Sequence, residues 1–75
     1  MTRTEFLSEF EIVALQAPGS IKGQEALDSL DGWDSLAVVE FMSMADEKLG
    51  VQLDPRKVAT CSNVDDLASL CGIAA

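Results

Sequence analysis

Gly32-Trp33-Asp34-Ser35-Leu36 is followed by thirteen residues, Ala37 to Leu49, that contain neither Gly nor Pro. This pattern places a serine hydroxyl at a helix entrance. The first turn of a helix carries unpaired backbone N–H groups and a partial positive charge, so a phosphate ester on Ser35 would sit in a favourable field. Ser and Asp are also the commonest N-caps, and a serine there is ordinarily nothing more. Asp34 can take the capping role, which leaves the Ser35 hydroxyl free for chemistry. The predicted helix runs from Ser35 or Leu36 to Leu49, with Gly50 as its stop. At 100° per residue, Ala37, Val38, Val39, Phe41, Met42, Ala45 and Leu49 form a broad apolar arc, with Met44 at its margin. Leu36, Glu40, Ser43 and Glu47 fall on the opposite line, spaced by four, three and four residues. An apolar Leu36 on that acidic side is a candidate partner contact.

On the N-terminal side, a first helix is expected from Thr4 to Ala17. Thr2 and Glu5 match a capping box, and Phe6, Phe10, Val13, Ala14 and Ala17 recur on one face before Pro18-Gly19. A long connection then spans Pro18 to Asp34, with Ile21, Leu27 and Leu30 as its pins and a short helical turn within Gln24–Leu27. After Gly50, Val51-Gln52-Leu53 is an extended link. Asp54-Pro55 opens one short helical turn, with Asp as cap and Pro at the first helical position. The last helix starts near Ser62 or Asn63, capped as Ser62 with Asp65 or as Asn63 with Asp66. Its buried stripe is Val64, Leu67, Ala68 and Cys71, and Gly72 ends it. The expectation is a single all-α domain over residues 1–75: a small four-helix bundle of three main helices and one short one, with a long first loop.

Seventy-five residues bury only about 60% of the surface the unfolded chain exposes, which leaves no room for a deep catalytic cavity. The net charge is −8, and residues 24–54 hold eight acids against one base, Lys48. That field repels nucleic acid and anionic lipid and steers basic partners. Cys61 and Cys71 are expected as reduced thiols in a cytoplasmic protein, because the N-terminus shows no apolar leader and no run reaches the length of a membrane span. The chain has no histidine, so it assembles neither a Ser-His-Asp triad nor a Cys-His pair. Two cysteines ten positions apart do not make a zinc site. A calcium loop starting at Asp28 would need oxygen ligands where Leu30 and Val39 stand. What remains is a nucleophile activated by another protein, so the chain is expected to be a substrate and not an enzyme.

These residues resemble the acyl carrier proteins and related phosphopantetheine-bearing carrier domains. The family's Asp-Ser-Leu signature stands as Asp34-Ser35-Leu36, followed at matching intervals by Val39, Glu40, Phe41-Met42 and Asp46-Glu47. Gly50 to Pro55 is similar to the family's link into a short third helix, and Asn63 to Leu67 to the opening of its last. The resemblance implies that a separate phosphopantetheinyl transferase, with magnesium in its complex, moves 4′-phosphopantetheine from coenzyme A to Ser35. The terminal thiol of that arm would then carry an acyl or aminoacyl group as a thioester. It further implies that Asp34 presents Ser35 to the transferase and that Leu36, Glu40 and Glu47 belong to a docking face. The implied partners are acyl- or aminoacyl-loading enzymes and downstream synthases or transferases with basic docking surfaces, met by a monomeric carrier. Ala37 and Trp33 depart from many fatty-acid-synthesis carriers, which directs the expectation to a specialised fatty-acid, polyketide or lipid pathway. Trp33 either shapes the partner surface or packs as a lid on the loop. The alternatives are an aminoacyl or peptidyl carrier, and an unmodified acidic helical binding module in which Ser35 is only a cap.

Overall fold

The second of the predicted helices forms over Ser35–Leu49 and organises the rest of the molecule. The computed structural model describes residues 1–73, in the order α1 (Arg3–Val13), a 3₁₀ turn (Leu27–Ser29), α2 (Ser35–Leu49), α3 (Pro55–Ala59) and α4 (Val64–Leu70). All described regular structure is helical apart from one isolated antiparallel bridge, Ala26 to Asn63. The expected all-α bundle with one short helix and a long first loop is the observed architecture.

Each helix starts where its local chemistry satisfies the first-turn N–H groups. Thr2 and Glu5 form a reciprocal capping box on α1, with the Thr2 N–H donating to Glu5 Oε1 at 2.8 Å and the Glu5 N–H donating to Thr2 Oγ1 at 3.2 Å. Asn63 and Asp66 form the corresponding box on α4, which selects the second of the two predicted pairs. Asp54 caps α3 by accepting from the Arg56 N–H at 2.9 Å. Glu5 and Asp54 are both held below the usual carboxylate range, chiefly by the backbone N–H groups of Thr2 and Arg56 respectively.

The core is an aromatic and aliphatic cluster shared by α1, α2 and α4. Phe6, Phe10, Phe41, Val64 and Leu67 are fully enclosed. Phe6 meets Phe41 edge-on with ring centroids 5.9 Å apart. Phe41 is the centre of the buried face of α2, and this shifts two neighbours from their expected places. Met44, three residues on, lies in the core, whereas Val39, about 200° around the helix from Phe41, points outward. Cys71 packs in the core as expected, and burial pushes its thiol up to about 11.

The end of α1 departs furthest from the predicted bounds. The helix stops at Val13, so Val13 is only half-buried and Ala17 is exposed. The Gln16 N–H donates to the Glu11 carbonyl at 2.8 Å and the Leu15 N–H to the Ile12 carbonyl at 3.4 Å. Leu15 occupies the left-handed position of this terminating turn at φ 57°. Gly or Asn ordinarily fills such a site, and a leucine there costs roughly 1–2 kcal/mol. The close passage of Gly32 over the Ala14 carbonyl supplies the tertiary reason for the early stop: a Cβ at residue 32 would collide with that carbonyl. This passage also sets the end of α1 beside the entrance of α2, and the α1 N-terminus lies by Lys48, which pairs with Glu9.

The long connection is held by polar pins as well as by the apolar ones. Ile21 and Leu27 are buried and Leu30 is packed against the core. The Leu27 N–H donates to the Ser62 carbonyl at 2.9 Å, and the Val64 and Asp65 N–H groups donate back to Glu25 and Gly23 at 3.3 and 2.9 Å. Because Gly23 to Ala26 are committed to the start of α4, the predicted turn forms after them, over Leu27–Ser29. Arg3 ties the same region to α1, lying 2.7 Å from Asp65 and donating to the Lys22 carbonyl at 2.8 Å. Glu11, a buried carboxylate on α1, accepts from the Ile21 N–H at 3.0 Å.

Two substitutions test these constraints by urea unfolding. Gly32→Ala forces the backbone away from Ala14 and is expected to cost about 1–3 kcal/mol. Glu11→Ala leaves the buried Ile21 N–H without its acceptor, with an expected loss of about 1–3 kcal/mol, whereas Glu11→Gln keeps an acceptor oxygen and most of the stability.

Candidate functional site

The approach to α2 is set by three consecutive residues with different tasks. Gly32 supplies the close backbone contact with α1. Trp33 then inserts its indole against Phe10 and Phe41, at centroid distances of 5.3 and 5.7 Å, and its backbone N–H donates to the Leu30 carbonyl at 3.0 Å. It is half-buried, so the lid-like packing is present and one edge stays accessible. Asp34 is extended, at φ −122° and ψ −172°, and its Oδ1 accepts from the Ala37 N–H at 2.9 Å. Its carbonyl accepts from the Val38 N–H at 3.0 Å, the first bond of the helix.

Ser35 is therefore the first helical residue and does not act as the cap. Its side chain is exposed, and its hydroxyl has no hydrogen-bond partner among the described residues. The Ser20 and Ser29 hydroxyls, by contrast, donate to nearby carbonyls at 2.6 and 2.7 Å. The Ser35 and Leu36 N–H groups also have no acceptor among the described residues, since Asp34 satisfies only Ala37. An exposed hydroxyl beside two free backbone donors and the positive end of a fifteen-residue helix suits a covalently attached phosphate diester.

The predicted outward line is present. Leu36 is 66% exposed, and Glu40, Ser43 and Glu47 are all exposed beyond it. Val39, 60% exposed, joins Leu36 as a second outward aliphatic residue. The prediction missed it by widening the apolar arc too far from Phe41. Beside Val39 an open trough of about 490 Å³ runs between α2 and the link into α3, lined by Met42, Ser43, Leu53 and Pro55 among others. The acidic residues Asp28, Asp31 and Asp34 precede the serine, and no Lys or Arg occurs between Gly23 and Glu47.

Self-contained nucleophilic catalysis is poorly served here. No histidine exists to take a proton from Ser35. Cys61 is part-buried with its thiol pushed up by burial and by Asp66, and burial pushes the Cys71 thiol up to about 11, so neither is an activated thiolate. Among the described residues no His/Cys/Asp/Glu cluster suits a metal ion, and no helix is long and apolar enough to cross a membrane.

Comparison with known proteins finds no significant match among curated proteins or solved structures. A family model does match: the one described as phosphopantetheine attachment site covers residues 11–71, from the last turn of α1 to the C-cap of α4. The chain belongs to that family, the acyl carrier proteins and their relatives, and is a carrier domain for a covalently attached phosphopantetheine group.

Proposed function

We propose that Ser35 is the attachment residue and that the protein carries acyl intermediates as thioesters for a specialised fatty-acid, polyketide or lipid biosynthetic pathway. The observation that carries this reading is the division of labour at the start of α2: Asp34 caps the helix, and the Ser35 hydroxyl is exposed and uncommitted. A separate phosphopantetheinyl transferase, with its own magnesium, activates the serine. The Ser35 Oγ–phosphorus bond forms, the pyrophosphate bond of coenzyme A breaks, adenosine 3′,5′-bisphosphate leaves, and the hydroxyl proton passes to a base on the transferase.

When bound, the prosthetic group supplies a flexible arm ending in a thiol that forms the thioester. The chain's own residues provide the mount. The Ser35 and Leu36 N–H groups and the α2 dipole stabilise the phosphate charge, and the fixed Trp33 packing keeps the attachment point rigid. A tether on a small body raises the local concentration of its cargo at each enzyme visited without tight docking. Leu36, Glu40 and Glu47 form the docking line for partners with basic surfaces, and Trp33 contributes by holding the loop that leads to it. Charge-steered contacts of this kind favour fast association and release. The acyl cargo is preferred over an aminoacyl one on the resemblance of Asp34-Ser35-Leu36, and the working state is a monomer in the cytoplasm.

Incubation with coenzyme A and a broad-specificity phosphopantetheinyl transferase, followed by intact mass measurement, tests the reading. The wild-type chain should gain one phosphopantetheinyl group. Ser35→Ala should gain none while changing stability by no more than about 0.5 kcal/mol. An acidic binding module would instead stay unmodified, and its partner affinity would survive Ser35→Ala. Asp34 separates capping from presentation: Asp34→Ala should cost about 1 kcal/mol in urea unfolding, while Asp34→Asn, an equally good cap, should fold normally yet be modified more slowly.

A further inference from the structure

Two large aliphatic side chains near the end of α1 face water. Ile12 is 70% and Leu15 83% exposed, more than Leu36 or Val39. The Leu15 N–H donates to the Ile12 carbonyl at 3.4 Å, so both residues belong to the same terminating turn. Among the described residues, Leu15 is also the one non-glycine residue with a left-handed backbone, at φ 57°. The terminating turn would be easier to form with Gly or Asn, and the core does not use the side chain. A leucine standing where both backbone and solvent disfavour it points to a contact outside the chain.

The position of the pair names the contact. A Cβ at Gly32 would lie 3.4 Å from the Leu15 Cβ, so Leu15 borders the loop that ends in Ser35. Gly32 precedes Ser35 by three residues, and three residues span at most about 11 Å. Leu15 Cβ is thus within about 16 Å of the Ser35 backbone, which is the radius of a disc of about 800 Å², the usual footprint on one side of a specific interface. An enzyme surface centred on Ser35 reaches Leu15 without extra structure, and Ile12 adjoins Leu15 in the same turn.

The surrounding charge narrows the occupant further. From Thr4 to Ile21, and again from Gly23 to Glu47, the chain carries acids and no Lys or Arg. Such a frame repels anionic lipid and a second copy of the same acidic face, and it complements an apolar centre with a basic rim. We infer that Ile12 and Leu15 form an apolar docking patch for the phosphopantetheinyl transferase that esterifies Ser35. This inference rests on the reading of Ser35 as the attachment residue, and it adds the end of α1 to the surface the transferase uses.

The double variant Ile12→Gln, Leu15→Asn tests it. Gln is a good helix former and Asn tolerates the left-handed site, so the variant should unfold at the same temperature as the wild type or higher. Conversion by the broad-specificity transferase is followed by intact mass at saturating coenzyme A and varied carrier concentration. The expected result is a KM for the carrier raised about fivefold or more, with kcat changed by less than about twofold. An unchanged KM, with the wild type converted normally, overturns the docking patch and leaves the attachment reading standing. A wild-type chain that no transferase converts overturns both. Sedimentation showing a wild-type dimer that the variant abolishes, with KM unchanged, also overturns the proposal and assigns the patch to self-association.

Discussion

The passage of Gly32 over the Ala14 carbonyl is the constraint on which the rest of the molecule depends. It joins the end of α1 to the entrance of α2 at a distance that admits no side chain at residue 32. From that contact the next residues follow in order. Trp33 has only the space beside Phe10 and Phe41, Asp34 emerges extended and caps, and Ser35 is left as the first helical residue with its hydroxyl outward. A buried aromatic cluster therefore fixes the position of an exposed oxygen that it never touches.

Much of this was legible in the sequence because the signals are local. The bounds of α2 follow from Asp34 and Gly50, residues whose capping preferences act within one turn, and Gly50 takes the left-handed conformation at φ 67°. The short α3 follows from Asp54-Pro55, and the α4 stripe of Val64, Leu67, Ala68 and Cys71 from helical period alone. The outward line of Leu36, Glu40, Ser43 and Glu47 needed no tertiary information. The early stop of α1 did, because a non-local contact and a leucine in a glycine-type site decide it. The 3₁₀ turn slipped to Leu27–Ser29 because the backbone of Gly23 to Ala26 is taken by the start of α4. The burial of Glu11 has no sequence signature: its partner is a backbone N–H ten residues away.

The site shows the same division. Asp34 and Ser35 are recognisable by type and order, since capping and exposure at a helix start are local properties. Val39 and Met44 exchanged their expected roles because the buried arc is centred on Phe41, a fact of packing and not of composition. The environment of Trp33 depends on α1, whose Phe10 is 23 positions away in sequence but adjacent in space. Ile12 and Leu15 share the serine's end of the bundle only because α1 turns back there, which no reading of periodicity reveals.

The central claim is that, of several exposed serines, Ser35 at the entrance of α2 is the one that takes the phosphopantetheinyl group. Tandem mass spectrometry of proteolytic fragments, after loading with coenzyme A and a phosphopantetheinyl transferase, addresses it most directly. The account predicts the phosphopantetheinyl group on the fragment containing Ser35 and at that residue. Localisation to another serine, such as Ser29 or Ser43, would contradict it.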